Sequence, residues 1–421
     1  MKRIELTITA EAPLAIGQRK PGASVSEATD YIPGTVVRGA IASLMIQQAQ
    51  AAGQISTANA DLTQTDDDFG TLFLSDDAAI FHNAYPAIAK TGEDEYTICP
   101  EEVCVLPATA LSSKTSPGFT PKGSGVFDSL IDSFCAREQG HFYEPNDLKG
   151  DRVEPFKGFY SKQGKTYRSH SISKRLLTRV GINRRRATAE DQLLYSIEVL
   201  NETQGKQTPQ FSVYRGAIVI DDNDLATQLQ PFITRHCTNF RLGGSTSRGL
   251  GKVHVQAELQ DFSEGDAVKS RVREFNAKLR DRWKCWNIFD PSKSLPANQH
   301  FFTLNLQSDA ILTENWQRTT VISEPMLRQF TQVEDATLKL QLSYSSYDYR
   351  SGWNAAWGLQ KDVELITNMA GVYLFSTELP DQWYEPLAQL EQQGVGDRTS
   401  EGFGQIKVCD EFHLIFREEP V

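Results

Sequence analysis

The glycine-rich stretch Asn239–Val255 contains the residue types best suited to binding chemistry. Four glycines in it surround one serine–arginine pair, Ser247-Arg248. Glycine accepts positive φ, so the N–H groups of such a loop can turn toward one anion. The Ser247 hydroxyl and the planar, permanently charged guanidinium of Arg248 both suit a phosphate group. Because no general base or metal ligand lies within the loop, the pattern predicts binding of a phosphodiester backbone. An ordinary turn between a helix and a strand is the alternative.

The same pattern recurs near the end of the chain. In the segment Gly394–Val408, the residues Ser400-Glu401-Gly402-Phe403-Gly404 align with Ser247-Arg248-Gly249-Leu250-Gly251. Both sequences read Ser-x-Gly-x-Gly, and both precede a strand-like run. A repeat at the end of each half of a chain indicates two copies of one module. The second copy has Glu401 where the first has Arg248, so the two loops differ in charge.

Two further stretches of the first half could bind an anion. Arg38 lies in the first turn of a helix that Thr35 can cap. At a helix start the exposed N–H groups and the positive end of the dipole favour a negative ligand. A basic turn that contains Arg19 and Lys20 comes before this helix. A solvated helix arginine is the alternative for Arg38.

The segment Lys149–Arg186 is basic although the whole chain is acidic. It holds twelve Lys or Arg residues and two acidic residues, in a chain of net charge −11. Aromatic residues, namely Phe156, Phe159, Tyr160 and Tyr167, lie between these cations. Cations for phosphates and rings for bases form the composition of a single-strand nucleic-acid binder, and a solvated basic loop is the alternative. The predicted RNA-binding residues of the chain are Arg19, Lys20, Arg38, Arg168, His170, Lys174, Arg175, Arg179, Arg184, Arg185, Arg186, Gly243, Gly244, Ser245, Ser247, Arg248, Gly249, Arg398 and Ser400.

Composition limits the other classes of function. Eleven acidic residues and one lysine lie between Asp61 and Glu102, so opposite charges are segregated along the chain. No window approaches 18 apolar residues, which argues against a membrane span. The six cysteines are scattered over the whole length, which predicts a reduced, cytoplasmic protein.

A zinc site is one metal centre that the residue types would allow. Cys99, Cys104 and Cys135 could provide thiolates, and His82 and His141 could provide imidazoles. Their spacing differs from the Cys-x-x-Cys pattern of zinc modules, so we expect buried thiols instead. We predict no metal, no cofactor and no catalytic residue.

The order of predicted elements indicates an α+β chain of two ferredoxin-like modules. The first module, residues 1–262, reads strand, helix, insertion, strands, helix, glycine loop and strand, which is the βαββαβ order. Its insertion covers about 53–210. A linker with a helix is predicted over 263–299, and the second module covers 300–421.

Two details of these modules are also predicted. The strands Leu193–Leu200 and Phe211–Ile220 are expected to pair as a long β-hairpin that projects as a finger. The stretch Ser345–Leu359 is rich in aromatic residues, including Tyr347 and Tyr349. We interpret it as packing between modules, with a platform for bases as the alternative.

These features together resemble the repeat-associated mysterious proteins (RAMPs) of CRISPR effector complexes. Tyr31–Ala40 is similar to their Ile-Pro-Gly-Ser-x-x-(Arg/Lys)-Gly signature, and Gly243–Gly251 is similar to their glycine-rich loop. Within that superfamily the chain resembles the Csx10 family, the Cas5-like subunit of type III-D complexes. The segments that carry this second resemblance are Leu14–Gly22, Thr29–Gly34, Leu106–Ala110 and Gly352–Asn354.

The resemblance implies a non-catalytic subunit that binds the 5′ repeat tag of the CRISPR RNA. It further implies that the subunit caps a filament of Cas7-like backbone subunits beside a Cas10-like large subunit, with target RNA an indirect partner and no membrane contact. The alternative is a Cas7-like, metal-dependent RNase in which Asp30, just before the first helix, supports cleavage of target RNA. Asp30 could equally orient that turn by hydrogen bonding. An independent enzyme is a third hypothesis, but the chain has no nucleophile–base motif.

Overall fold

The computed structural model describes residues 1–18, 27–53, 68–75, 78–92, 94–183, 188–261, 266–354 and 359–421. Over these residues the chain is a mixed α/β protein with antiparallel sheets. Its α-helices are α1 (Gly34–Ala51), α2 (Asp68–Phe73), α3 (Leu130–Glu138), α4 (Asn223–Arg235), α5 (Asp266–Trp286), α6 (Glu324–Thr331) and α7 (Tyr384–Gln393). In this described part no helix is both long and apolar enough to cross a membrane.

The first half contains a sheet whose four main strands are β1 (Lys2–Ala10), β2 (Ala79–Phe81), β3 (Val213–Ile220) and β4 (Val253–Asp261). Their order across the sheet is β4-β1-β3-β2, and the short strand Tyr85–Pro86 also pairs with β3. Along β1, Ile4, Leu6 and Ile8 are buried while the residues between them are half-buried. This alternation directs one face of the sheet onto the helices, because successive strand side chains point to opposite faces.

The second half repeats this arrangement. Its strands are β5 (His300–Leu306), β6 (Lys339–Tyr344), β7 (Val372–Thr377) and β8 (Ile406–Val408), in the order β6-β7-β5-β8. Helix α6 connects β5 to β6, and α7 connects β7 to β8, as α1 and α4 do in the first half. All six residues of β7 are buried, which fits a central strand covered on both faces.

The segment between β2 and β3 forms small sheets of its own. One contains Ile88–Lys90, Tyr96–Ile98, Cys104–Val105, Phe159–Gln163 and Thr166–His170, and another contains Ala110–Ser113, Val126–Asp128 and Val153–Pro155. The remaining strand pairs among the described residues are Gly17–Gln18 with Glu27–Ala28, Lys174–Asn183 with Thr188–Leu200, Thr203–Gln204 with Gln210–Phe211, Leu312–Glu314 with Gln317–Thr319, Tyr347–Arg350 with Glu364–Thr367, and Trp353–Asn354 with Leu359–Gln360.

The long hairpin forms with a different partner strand from the one predicted. Lys174–Asn183 pairs with Thr188–Leu200, and we call this pair the finger hairpin. The predicted partner, Phe211–Ile220, instead contributes β3 to the middle of the first sheet. The prediction was wrong because Val213–Ile220 is mostly buried and apolar, which suits an interior strand better than a projecting one.

Helix α3 of the insertion packs against α5 and into the core of the second half. Its Leu130 and Phe134 share one hydrophobic cluster with Phe301. The buried carboxylate of Asp132 accepts from Arg282 Nε at 2.6 Å and from Trp286 Nε1 at 2.7 Å. These charge-assisted bonds satisfy a carboxylate that would otherwise be costly to bury. The insertion is therefore attached to both halves of the chain.

The two halves meet where helix α1 begins. A Cβ built on Gly34 would lie 1.8 Å from the carbonyl oxygen of Phe81 and 3.0 Å from that of Glu401. A Cβ on Gly402 would lie 2.7 Å from the same Phe81 oxygen. The N–H of Gly34 donates to Asn83 Oδ1 at 2.8 Å. Only glycine fits at both positions, so this joint depends on backbone-to-backbone contact.

We expect Gly34→Ala to destabilise the protein by about 3 kcal/mol, because the added methyl group would overlap a backbone carbonyl that cannot rotate away. Gly39→Ala is the matched control in the same helix. It has no heavy atom within 4 Å of the added Cβ, and alanine there should stabilise by up to about 1 kcal/mol. Urea unfolding of both variants tests this, and equal midpoints would show that the joint tolerates a side chain.

Candidate nucleic-acid interface

The first glycine loop presents a short exposed tip. Thr246–Arg248 form one 3-10 turn, with Ser245 (φ 57°) before it and Gly249 (φ 85°) after it. Ser247 and Arg248 are exposed, and no heavy atom lies within 4 Å of a Cβ built on Gly249. The two left-handed residues reverse the chain direction on each side of the turn, which leaves the Ser247 and Arg248 side chains toward solvent.

The inner glycines of this loop bind the protein itself. The N–H of Gly244 donates to the Ala15 carbonyl at 2.8 Å, and that of Gly251 donates to Pro13 at 2.9 Å. A Cβ on Gly243 would lie 2.5 Å from the Ala15 oxygen. Gly243 needs glycine for this close backbone approach, and the N–H of Gly244 is already bonded to Ala15, so the predicted nest of inward-facing amides is not how Gly243 and Gly244 act. A phosphate at this loop would therefore contact the side chains of the tip, those of Ser247 and Arg248.

The second glycine loop has the same backbone. Arg398 (φ 61°) and Gly402 (φ 92°) flank the 3-10 turn Thr399–Glu401. The N–H of Asp397 donates to the Ile311 carbonyl at 2.8 Å, as Gly244 does to Ala15. A Cβ on Gly396 would lie 2.3 Å from the Ile311 oxygen. The alignment predicted from Ser-x-Gly-x-Gly is therefore confirmed at the level of geometry.

The second loop nevertheless faces protein rather than solvent. Glu401 pairs with Arg398 at 2.5 Å and with Lys361 at 3.1 Å. Burial opposes ionisation of Glu401, but the hydrogen bonds and charges of Arg398 and Lys361 outweigh it and lower its pKa. The Arg398 guanidinium also lies 5.1 Å from the centre of the Phe403 ring. Arg398, predicted to contact RNA, is thus engaged within the second half, and Ser400 in the same turn is half-buried.

Arg38 is also engaged within the protein. Its Nη2 donates to the Phe73 carbonyl at 2.6 Å, and its guanidinium lies 5.6 Å from the centre of the Phe73 ring. Burial lowers its pKa. Arg38 therefore holds helix α2 against α1, and we correct the expectation that it projects from the helix start toward a phosphate.

The RAMP-like signature around Tyr31 lies beside a cleft of about 230 Å³ between the two halves. Arg350 Nη2 lies 2.8 Å from Asp309 Oδ2, and the same guanidinium donates to the Tyr31 hydroxyl at 3.4 Å. Burial, and secondarily the Asp309 charge, raises the pKa of Tyr31 to about 12. Tyr31 of the signature is thus a neutral hydrogen-bonding partner of Arg350, which belongs to the other half.

The finger hairpin carries three of the predicted cations. Lys174 Nζ lies 2.7 Å from Asp30 Oδ1 and 2.6 Å from the Ala28 carbonyl. Arg175 donates to Asn201 and Glu202 at 3.1 Å. Arg179 lies farther along the strand on the same face as Arg175, because side chains two residues apart share a face. Of the three, Lys174 and Arg175 are tied to the base of the finger.

The face of the finger that carries Arg179 packs against the first glycine loop. Leu177 and Ile197 of the finger contact a cluster formed by Ala15, Val199 and Leu250. Leu250 is part of the Ser-x-Gly-x-Gly sequence itself. The fold therefore brings Arg179 and the tip residues Ser247 and Arg248 onto neighbouring elements, and we call this surface the loop–finger surface.

Other predicted contacts of the basic segment lie inside the protein. His170 is buried, its Nε2 is 2.8 Å from Ser161 Oγ, and burial lowers its pKa to about 4. Arg168 Nη1 lies 3.7 Å from Cys99 Sγ. A buried, neutral ring is inaccessible to a phosphate, so His170 is withdrawn as an RNA contact.

The aromatic residues of the basic segment are core residues. Phe159 and Tyr160 are buried, and Phe156 and Tyr167 pack against Phe119. They stack on one another and on the C-terminal segment, so the prediction that these rings accept bases was wrong. Composition alone did not distinguish a stacking surface from a small aromatic core.

Two other tyrosines are exposed where packing was expected. Tyr347 and Tyr349 lie on one face of the strand Tyr347–Arg350, with their ring centres 6.3 Å apart. Their spacing of two residues in an alternating strand was the signal that could have identified them as exposed. Arg19, Lys20, Arg184, Arg185 and Arg186 lie outside the described residues.

The cysteines and histidines considered as zinc ligands are dispersed. Cys104 Sγ accepts from Lys407 Nζ at 3.1 Å, and burial raises the pKa of this thiol to about 12. Cys135 lies in α3, and His82 is half-buried, with its pKa lowered to about 3 by desolvation. Within the described ranges no group of three or more His, Cys, Asp or Glu side chains could hold a metal ion.

The fold and the loops define a duplicated α/β protein with a glycine loop before the last strand of each half. A family model described as the RAMP superfamily matches residues 7–254. This match covers more than half of the chain, and the chain belongs to the RAMP superfamily. A comparison with curated proteins gave no match.

Solved structures show only distant likeness. A chain of the type III-B Cmr-beta complex bound to cognate target RNA and AMPPnP is 11% identical, with a TM-score of 0.39 over 88% of this chain and 86% of that chain. A chain of a type IV-B CRISPR complex is 13% identical, with a TM-score of 0.26 over 61% and 90%. A chain of a Cas6 product complex is 14% identical, with a TM-score of 0.28 over 49% and 79%. Values this low do not indicate what the present chain binds.

Buried His170 should give stability a pH dependence. Its pKa is about 4 in the folded protein, whereas an unfolded histidine titrates near 6.5. The unfolded chain binds the proton first, so the free energy of unfolding should fall as the pH is lowered from 6.5 toward 4. When the pH is lowered from 7 to 5, we expect the free energy of unfolding of wild type to fall by about 1–2 kcal/mol more than that of His170→Gln. Urea unfolding at the two pH values measures this difference. His141→Gln, at an exposed position, is the control; the same pH profile for both variants would contradict the assignment.

Proposed function

We propose that this chain is a non-catalytic CRISPR RNA-binding subunit of a type III effector complex, acting in antiviral defence. Its role there is to hold the 5′ repeat tag of the guide and to cap a filament of Cas7-like subunits beside a Cas10-like large subunit. RAMP superfamily membership supports the general role. The observation that carries the proposal is the exposed Ser247-Arg248 tip on a loop of otherwise fixed backbone.

The loop–finger surface suits an RNA backbone. A hydroxyl and a guanidinium at Ser247 and Arg248 provide donors for phosphate oxygens, and Arg179 adds a second guanidinium on the neighbouring finger. Such contacts are independent of base sequence, as expected for a subunit that follows a guide strand. The exposed rings of Tyr347 and Tyr349 provide a second surface on which unpaired bases could stack.

The finer assignment rests on the resemblance of the sequence to the Csx10 family of type III-D complexes. We interpret each half as one ferredoxin-like module, with residues 1–262 and 300–421 as their extents. The strand orders β4-β1-β3-β2 and β6-β7-β5-β8 support this interpretation, because both follow the βαββαβ connection. The subtype itself depends on the quoted sequence segments.

We expect Arg248→Ala to weaken RNA binding several-fold without unfolding the protein. Loss of one phosphate contact should reduce the slope of log affinity against log salt by about 0.7 to 1. The measurement is fluorescence anisotropy of a labelled guide RNA at several salt concentrations. Arg137→Ala on α3 is the matched control, since that guanidinium is exposed and pairs with its neighbour Glu138. An unchanged slope for Arg248→Ala, with the fold intact, would remove the loop tip from the interface.

The second candidate function is a metal-dependent RNase that acts through Asp30. The observation that favours it is the exposure of the Asp30 carboxylate just before helix α1. Against it, Lys174 already neutralises this carboxylate at 2.7 Å. A metal ion would have to displace that ammonium group and find further oxygen ligands. Asp30 more simply ties the segment before α1 to the finger hairpin.

Asp30→Ala should leave cleavage of target RNA by the assembled complex unchanged. It should lower stability slightly, because an exposed ion pair contributes at most about 1 kcal/mol. Lys174→Ala provides the matched comparison, since it removes the other half of the pair and should have the same small effect. Loss of one cut in Asp30→Ala, with Lys174→Ala still active and assembly intact, would establish the RNase function instead.

A further inference from the structure

A short hairpin in the second half has a fully exposed tryptophan at its tip. The strands Leu312–Glu314 and Gln317–Thr319 pair directly, so Asn315 and Trp316 form a two-residue turn. Both have positive φ, 49° and 65°, as a type I′ turn requires. The Trp316 side chain is 100% exposed.

Neither the positive φ of Trp316 nor the exposure of its side chain stabilises the hairpin. Asparagine followed by glycine is the favoured pair for a type I′ turn, and a bulky residue at positive φ is unusual and strained. A fully exposed indole adds a large apolar surface to water and gains no packing inside the chain. A strained, solvent-facing aromatic residue therefore points to a contact outside this protein.

The charges around the hairpin decide what kind of partner fits. Arg318 is held by Asp397 and, at 2.8 Å, by Glu364. Glu314 lies in the same hairpin and accepts a hydrogen bond from Ser323. Three carboxylates thus lie on this hairpin or against its Arg318, together with one guanidinium. A phosphate backbone would be repelled here, whereas a protein pocket with a basic rim would be attracted.

The first half offers a contrast at the equivalent place. The pair Gly17–Gln18 with Glu27–Ala28 also lies between the first strand of its half and the first helix. The sequence that connects those two strands contains Arg19 and Lys20, whereas the equivalent turn of the second half contains Asn315 and Trp316. The two hairpins thus differ in charge as the two glycine loops do. The connecting sequence is basic in the first half, and it has no net positive charge in the second half.

We propose that Trp316 anchors this chain in an apolar, basic-rimmed pocket of a neighbouring protein subunit. This inference rests on the proposed function for the identity of the neighbour, which is a protein subunit of the same effector complex. The indole enters the pocket, and the surrounding carboxylates meet the basic rim. The first half then contacts RNA and the hairpin of the second half contacts protein.

The variant Trp316→Gly separates anchoring from folding, because glycine suits the turn. Its thermal midpoint should equal or exceed that of wild type. When the chain is added to the purified remainder of the complex, its association should weaken at least tenfold, equivalent to about 1.4 kcal/mol. Trp316→Phe should recover most of this loss, and Gln317→Ala, at the adjacent exposed position, should behave as wild type.

A photo-crosslinker identifies the class of partner directly. With p-benzoylphenylalanine in place of Trp316, the crosslink in the assembled complex should go to a protein chain. A crosslink to guide or target RNA would overturn the inference, as would unchanged association of Trp316→Gly. If wild-type protein binds labelled guide RNA and joins the complex while Trp316→Gly joins equally well, only this inference fails. If wild-type protein neither binds RNA nor joins the complex, the proposed function fails with it.

Discussion

Close contact between two backbones is the constraint on which the rest of this structure depends. The Ala15 and Ile311 carbonyls lie 2.5 and 2.3 Å from where a Cβ on Gly243 or Gly396 would be. Because no side chain fits, the connection between the last helix and last strand of each half lies directly on the segment that follows its first strand. The same contact fixes the 3-10 turn of each Ser-x-Gly-x-Gly sequence, so the position of its side chains is set by the backbone.

The two copies show how one backbone can serve two purposes. Ser245 and Arg398 have nearly the same φ, as do Gly249 and Gly402, yet the first tip is exposed and the second lies against α1. The tips of the two glycine loops differ in the residues around them and in their charge. Burial opposes ionisation of Glu401, but Arg398 and Lys361 lower its pKa, and the Glu401 carbonyl lies against Gly34 at the joint between the halves. An arginine at that position would remove the carboxylate that pairs with Arg398 and Lys361 and would add a third cation beside them.

Local features of this fold could be predicted from the sequence, and non-local ones could not. The repeat was predictable because positive φ is a property of single glycine positions, and β1 was predictable because its alternation of Ile4, Leu6 and Ile8 is local. The partner of the finger strand Thr188–Leu200 could not be predicted, because pairing depends on which other strand the core sheet includes. The burial of His170 and Tyr160 was missed for a similar reason, since His170 pairs with Ala89 and Tyr160 donates to Asp410, both far away in the sequence.

The same reasoning corrects how charge along this chain should be interpreted. The stretch Lys149–Arg186 is strongly basic in sequence, but folding brings carboxylates from other segments to its cations: Asp30 to Lys174, Glu202 to Arg175 and Glu411 to Lys162. Each pair reduces the positive potential available to a polyanion, because a nearby opposite charge cancels most of the field beyond a Debye length. A basic stretch therefore becomes a nucleic-acid surface only where the fold keeps carboxylates away from it. In this chain three cations of the segment are paired in this way, so its net charge in sequence overstates the positive potential of its described part.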